Sequence, residues 1–237
     1  MEAERLWAGG PLFLQAETAK LTTDTVLLAD FAQVGRATSG ADLGCASGAL
    51  MLLLLWREAR LQMTGVELQP DAARLAEENL RLNGMTDRGT ILCGDLREEH
   101  AALPRGGFDF VIANPPYFAE GSGMPAPEEG RAAARGESRC TLEDLCTRAA
   151  GLCRSGGKAF LSYRPERLCE LLRQCAHVRL EPKRLRLVHH RPSAEASILL
   201  LEARKDGKPG LRIEPPLILH DEAGNETEEY KRIYHRM

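Results

Sequence analysis

Short apolar runs of strand length alternate with stretches of helical periodicity along most of this 237-residue chain. The predicted strands end at residues 43, 68, 93, 113 and 163, and the predicted helices cover residues 49–59, 71–82, 142–153 and 165–176. Residues 185–188 and 197–203 predict a closing antiparallel pair. This alternation is typical of a mostly parallel sheet with helices on both faces. We therefore expect an α/β fold with a doubly wound, seven-stranded, Rossmann-like sheet and an antiparallel closing strand.

Charge, cysteine content and apolar runs limit the kinds of protein that this chain can be. The net charge is −3 and the pI is about 6.1, which argues against tight, non-specific binding of duplexes and leaves room for one local basic face. The seven cysteines show no Cys-x-x-Cys spacing, so we predict no metal site and reduced thiols in a cytoplasmic protein. The longest apolar run falls short of a membrane span, and the charged start does not resemble a secretory signal.

Four polar side chains fall at the ends of the first four predicted strands: Asp42, Glu67, Asp95 and Asn114. In open α/β sheets, ligands bind beyond the carboxyl ends of the strands, where the strand order switches. We therefore expect these four side chains to line one crevice.

The segment Asn114-Pro115-Pro116-Tyr117 follows the fourth strand, and its prolines stop that strand because they donate no hydrogen bond. The amide oxygen of Asn114 and the carbonyl of Pro115 offer two acceptors for the two hydrogens of a planar amine such as that of adenine. This favours a pyramidal nitrogen with an available lone pair. Tyr117 offers a face that stacks on a base. Taken alone, the segment also fits an ordinary turn after a strand.

The segment Asp42–Gly48 predicts a strand, a turn and a helix start, with small residues at Gly44, Ala46 and Gly48 that let a ligand approach the backbone. Glu67 is placed to bind ribose hydroxyls. Asp95 offers a carboxylate to an adenine amine, and Leu96 offers a side chain to the ring face. A dinucleotide enzyme favours G-x-G-x-x-G here, which the chain lacks. An acidic pocket favours S-adenosylmethionine, which carries sulfonium and ammonium charges.

With these motifs the chain resembles class I S-adenosylmethionine-dependent methyltransferases of the Asn-Pro-Pro-Tyr type, and more closely the bacterial tRNA1(Val) adenine-N6 methyltransferase family. The resemblance covers nearly the whole chain and includes residues 23–29, 42–48, 66–69, 94–96, 114–117, 140–144, 164–168, 180–184 and 206–209. It implies S-adenosylmethionine as cofactor and adds Asp24, Cys45, Leu68 and Asn114 to the cofactor site. Ala46 stands where the family's turn usually has glycine.

The expected organisation has three parts: an N-terminal segment (1–36) packing over the cofactor site, a class I methyltransferase domain (37–204) and a C-terminal extension (205–237). Residues 119–139 form a long Gly/Pro/Ala-rich loop, either disordered or a substrate loop. We favour the substrate loop because of its position after the Pro-Pro-Tyr. Arg135 in it follows the family's loop pattern and is a candidate for a nucleic-acid contact.

Basic residues cluster near the closing strands, and our candidates for nucleic-acid contacts there are Lys183, Arg184, His190 and Arg191. They fit a phosphate-contacting edge. They fit equally well exposed charges that protect an edge strand from aggregation.

These features together predict an enzyme that methylates the N6 amine of an adenine in a tRNA anticodon loop, with Asn114, Pro115, Pro116 and Tyr117 as catalytic residues. An unpaired base costs least to flip out. Three alternatives remain: methylation of a protein glutamine amide, adenine methylation in rRNA or DNA, and a binding scaffold without catalysis.

Overall fold

The computed structural model of the protein describes residues 2–16, 20–115 and 140–236. Near the N-terminus, β1 (Glu4–Arg5) and β2 (Leu12–Phe13) form a small antiparallel hairpin. The central sheet contains seven strands of five residues or more in the described part of the chain: β3 (Ser39–Leu43), β4 (Gln62–Glu67), β5 (Gly89–Cys93), β6 (Phe108–Ala113), β7 (Cys153–Tyr163), β8 (Leu180–His189) and β9 (Ala196–Lys205).

Hydrogen bonding places these seven strands in the order β8-β9-β7-β6-β3-β4-β5. The strands from β7 to β5 in this order are parallel, whereas β9 lies antiparallel between β7 and β8. This confirms the predicted mostly parallel sheet with an antiparallel closing strand. Because β9 runs against both neighbours, β8 points the same way as β7. The strands β3 to β8 therefore all end at one edge of the sheet, which we name the carboxyl edge.

Helices cover both faces of the sheet. They are α1 (Thr23–Phe31), α2 (Ala49–Arg57), α3 (Pro70–Leu82), α4 (Leu142–Leu152), α5 (Leu168–His177) and the short α6 (Glu228–Ile233). Phe110 and Phe160 pack with α1 and α2 on one face, whereas their sheet neighbours Val111 and Leu161 pack with α4 and α5 on the other. This alternation follows from the two-residue period of a strand. None of the helices in the described ranges has the length and apolar character needed to cross a bilayer.

The helix predicted over residues 142–153 ends at Leu152, and β7 begins at Cys153, directly after it. Glycines shape the start of this strand, where Gly156 has φ +76°. A Cβ on Gly157 would lie 2.9 Å from the carbonyl oxygen of Asp109, so only glycine fits there without movement.

Residues 205–236 add to the same sheet and core. The two-residue strands β10 (Arg212–Ile213) and β11 (Leu217–Ile218) pair in parallel with β8. Tyr230 and Ile233 of α6 are buried in the apolar cluster that contains α1 and α2. The C-terminal extension is therefore packed as part of the sheet's edge.

The N-terminal hairpin is tied to α3 by two asparagines. Asn83 bonds to the backbone of Leu12, and the fully buried Asn79 bonds to the N–H and carbonyl of Leu14 at 2.7 and 2.9 Å. The amide of Asn79 also donates to the carbonyl of Ser47 at 2.9 Å. Residues 12–14 are thus joined through one side chain to the turn that follows β3.

Candidate active site

The turn after β3 is held against the next strand. The N–H groups of Gly44 and Cys45 both donate to the carbonyl of Val66 at 2.9 Å. Gly44 and Gly48 each have φ +77°, a conformation that glycine adopts without steric cost. A Cβ on Gly44 would meet no atom within 4 Å, so the space beside this turn is open to a ligand. The Cys45 side chain is buried and packs against Gly65 of β4. Only the backbone of Cys45 therefore belongs to the turn.

Ala46 adopts a left-handed conformation, with φ +48°. An L-residue with a Cβ pays about 1–2 kcal/mol for this backbone shape, which glycine avoids. Its side chain is exposed, so no packing opposes the substitution of alanine for the usual glycine. The turn is kept in shape by its hydrogen bonds rather than by the residue at this position.

Glu67 supplies one of those hydrogen bonds. One carboxylate oxygen accepts from the N–H of Ala46 and the other from the N–H of Gln69, both at 2.9 Å. The side chain is buried at the carboxyl end of β4. A carboxylate has about four lone-pair positions, so the remaining two can accept from ribose hydroxyls while the turn stays fixed.

Asp42 is a buried carboxyl group without a hydrogen-bond partner for either oxygen in the described part of the chain. It is 1% exposed. Burial, with a smaller contribution from the charge of Glu67, raises its pKa to about 8. A positively charged ligand beside it would relieve both effects. The unpaired carboxyl and the open space at Gly44 fit a cationic cofactor such as S-adenosylmethionine.

Asp95 is engaged by its near neighbour Arg97. The guanidinium Nε lies 2.9 Å from both carboxylate oxygens, and the Arg97 N–H donates to the same group. These hydrogen bonds lower the pKa of Asp95. An adenine amine would have to share this carboxylate with Arg97. Leu96 is partly buried, whereas Leu68 at the end of β4 is 55% exposed and free to cover a ring.

Asp24 lies in the first turn of α1 and is half-buried. Burial raises its pKa, and the positive charge of Arg164, the residue after β7, partly opposes that rise. The first turn of α1 therefore reaches the carboxyl edge.

Asn114 lies beside the glycine turn. Ile112 of β6 pairs with Asp42 of β3, and Asn114 and Gly44 each follow by two residues. Adjacent strands are about 4.8 Å apart, so the amide and the turn occupy neighbouring positions at the carboxyl edge. Pro115 is buried. Pro116, Tyr117 and Arg135 lie outside the described residues.

The structure separates the predicted basic cluster into two groups. His190 and Arg191 are exposed just beyond the end of β8, at the carboxyl edge. Lys183 lies six residues before His189, about 20 Å back along the strand, and its ammonium group bonds to the carbonyl of Lys208.

Arg184 has the contacts of a structural cation. Its guanidinium bonds to Glu202 at 2.6 Å and Glu214 at 2.8 Å, lies 4.4 Å from the ring centroid of Phe31, and its side chain is 12% exposed. A phosphate would have to displace two carboxylates to reach it. These contacts favour a structural role for Arg184 over a phosphate contact.

Sequence reasoning missed the hydroxyl groups that surround Asn114, those of Thr25 in α1 and Ser162 in β7. Both are buried polar side chains. The available signal was a hydroxyl residue directly beside each of two apolar runs, Val26–Ala29 and Ala159–Leu161.

A mostly parallel sheet in this strand order, with a buried, unpartnered carboxyl group at Asp42 and the amide of Asn114 after the neighbouring strand, has the arrangement of a Rossmann-like methyltransferase. Residues 18–126 match the methyltransferase small domain family. A relative from Porphyromonas gingivalis, the tRNA1(Val) (adenine(37)-N6)-methyltransferase, is 32% identical over 90% of this chain and 86% of its own length. The chain belongs to this family of S-adenosylmethionine-dependent methyltransferases.

Solved structures agree with this assignment. A predicted O-methyltransferase from Agrobacterium tumefaciens superposes with a TM-score of 0.73 and 26% identity, covering 90% of this chain and 96% of that one. Geranyl diphosphate C-methyltransferase from Streptomyces coelicolor, solved with S-adenosyl-L-homocysteine, shares the fold with a TM-score of 0.57 at 14% identity, covering 76% of each chain.

Proposed function

We propose that the protein uses S-adenosylmethionine to methylate the N6 amine of an adenine in tRNA, at the position named for its relatives, adenine 37 of tRNA1(Val). The observation that carries this proposal is the location of Asn114 beside the glycine turn. An amine held by its side chain lies next to the cofactor pocket.

Each residue has a distinct role in this proposal. Asp42 faces the positive charge of the cofactor, Glu67 accepts from its ribose, and Asp95 accepts from its adenine. When bound, S-adenosylmethionine supplies an electrophilic methyl group. The side-chain oxygen of Asn114 and the carbonyl of Pro115 accept the two N–H groups of the target amine, which favours a pyramidal nitrogen.

Two further features complete the proposal. Tyr117, the last residue of the Asn-Pro-Pro-Tyr segment, stacks on the target base. No separate general base is needed, because the methylated nitrogen is acidic enough to release its proton after transfer.

Exposed cations at the carboxyl edge support an RNA substrate. His190 and Arg191 follow β8, and the exposed Arg164 follows β7, so all three lie at the same edge as Asn114. Phosphate contacts of this kind position a nucleic acid without reading its sequence.

The direct test is methyl transfer from labelled S-adenosylmethionine to total tRNA that lacks the modification, followed by nuclease digestion of the product. We expect N6-methyladenosine in the tRNA1(Val) fraction. Parallel assays supply rRNA, DNA and protein in place of tRNA. Label in one of these, with none in tRNA, would refute the proposed substrate while leaving the methyltransferase assignment intact.

Substitutions of the exposed Arg191 and of the ion-paired Arg184 test which of these cations contacts tRNA. Arg191→Ala is expected to raise the KM for tRNA about 3- to 10-fold and to reduce the salt dependence of binding by about one ion, with the free energy of unfolding unchanged. Arg184→Ala is expected to lower the free energy of unfolding by about 3 kcal/mol, because it leaves Glu202 buried with one cation fewer. Urea denaturation and tRNA titration measure both. Equal effects of the two substitutions on tRNA binding would contradict this division.

A further inference from the structure

The amide of Asn114 has three of its four hydrogen-bonding positions occupied by hydroxyl groups. Its nitrogen donates to Thr25 Oγ1 at 2.9 Å and to Thr22 Oγ1 at 3.5 Å. Its oxygen accepts from the hydroxyl of Ser162. An asparagine amide has two donor hydrogens and two acceptor lone pairs. One lone pair on Oδ1 is therefore left over, and an incoming amine needs one acceptor from this side chain.

The three hydroxyl groups come from two separate elements. Thr22 is the N-cap of α1, and Thr25 lies in its first turn, with the two oxygens 3.0 Å apart. Ser162 lies in β7 and is fully buried. The helix therefore holds the amide nitrogen and the strand holds the amide oxygen. A side chain held from both sides keeps one rotamer.

The orientation of the amide matters for the reaction. In the observed orientation the hydroxyl groups of Thr25 and Thr22 accept both amide hydrogens, and Oδ1 keeps one lone pair besides the one that Ser162 uses. In the flipped amide, one hydrogen would face an N–H of the substrate amine, which is a repulsive contact. Pre-set acceptors lower the barrier because they need no reorganisation during the reaction.

We propose that Ser162 and Thr25 are positioning residues that fix the amide of Asn114 with a single free acceptor toward the substrate. This inference rests on the proposed function for its substrate, the adenine amine. It does not depend on that function for the orientation of the amide itself. Neither residue touches the reacting atoms, so each acts only through Asn114.

The test uses Thr25→Val and Ser162→Ala, which remove a hydroxyl group and keep the shape or reduce it slightly. We expect kcat for tRNA methylation to fall about tenfold in each, with the KM for tRNA and the Kd for S-adenosylmethionine changed less than twofold. Thr25→Ser, which restores the hydroxyl group, is expected to recover most of kcat. Loss of kcat in Thr25→Ser equal to that in Thr25→Val would overturn the proposal, as would wild-type kcat in both hydroxyl deletions.

A second measurement reads the amide without RNA. The side-chain NH₂ signals of Asn114, assigned by their loss in Asn114→Asp, are expected to exchange slowly with solvent in the wild type and at least tenfold faster in Thr25→Val. Fast exchange in the wild type would refute the fixed orientation. Slow exchange with no activity on tRNA would instead refute the proposed substrate and leave the positioning intact.

Discussion

Asn114→Ala is expected to lower kcat for methyl transfer by a factor of about 10² to 10³, the usual cost of removing one fixed hydrogen-bonding group from a reacting centre. The substitution removes the acceptor beside the glycine turn and leaves the hydroxyl groups of Thr25 and Ser162 facing each other across the vacated space. The measurement is single-turnover methyl transfer to tRNA at saturating cofactor, with the cofactor Kd determined by calorimetry.

Asn114→Asp serves as the matched control. It keeps the size of the side chain and its acceptor oxygens, and the hydroxyl groups of Thr25 and Thr22 can turn to donate to it. We expect it to retain more activity than the alanine variant. A rate above one tenth of wild type in Asn114→Ala, with an intact cofactor Kd, would show that the amide does not hold the reacting amine.

The affinity for S-adenosylmethionine is expected to rise with pH through Asp42. The raised pKa of about 8 means that the free protein carries this carboxyl mostly protonated at pH 6. A cation binds the ionised form, so binding must release a proton, and the apparent Kd should fall on the order of tenfold between pH 6 and pH 7.5. In Asp42→Asn the Kd should be weaker at pH 7.5 and nearly independent of pH. Parallel pH profiles in both proteins would show that Asp42 does not face the cofactor's charge.

The free protein gives an independent readout of the same group. An unfolded aspartate has a pKa of about 3.9. Between that value and about 8, the folded protein holds a proton at Asp42 that the unfolded chain has lost. The free energy of unfolding should therefore fall as pH rises through this window. Asp42→Asn should abolish that decline and be more stable than the wild type at pH 8, as urea denaturation at several pH values would show.

The convergence of Asp42, Glu67, Asp95 and Asn114 was predictable, because parallel strands that end in polar residues must present them at one edge. The contacts of these residues were not. Arg97 lies two positions after Asp95 and donates hydrogen bonds to its carboxylate. The pattern of apolar and polar positions does not predict this contact. The burial of Asp42 without a partner depends on packing from several elements.

Arg184 shows the limit of charge patterns more clearly. Within its own segment it is one of several basic residues on a strand. Its partners Glu202 and Glu214 come from a neighbouring strand and from the extension, 18 and 30 residues away. Basic residues that lie close together in the sequence can therefore have different environments in the sheet. Strand direction and register, rather than composition, decide which of the cations reach the site.

The attachment of residues 205–236 to β8 has a consequence for how the protein is made. During synthesis a chain emerges at about 5–20 residues per second, so Tyr230 and Ile233 follow the seven-stranded sheet by seconds. Until they arrive, the apolar face that they cover on α1 stays open to water. Truncated chains that stop near residue 204 would leave this face permanently uncovered, and they would lack the carboxylate that Glu214 offers to Arg184. Such truncations should aggregate in the cell even though every residue proposed to touch the cofactor is present.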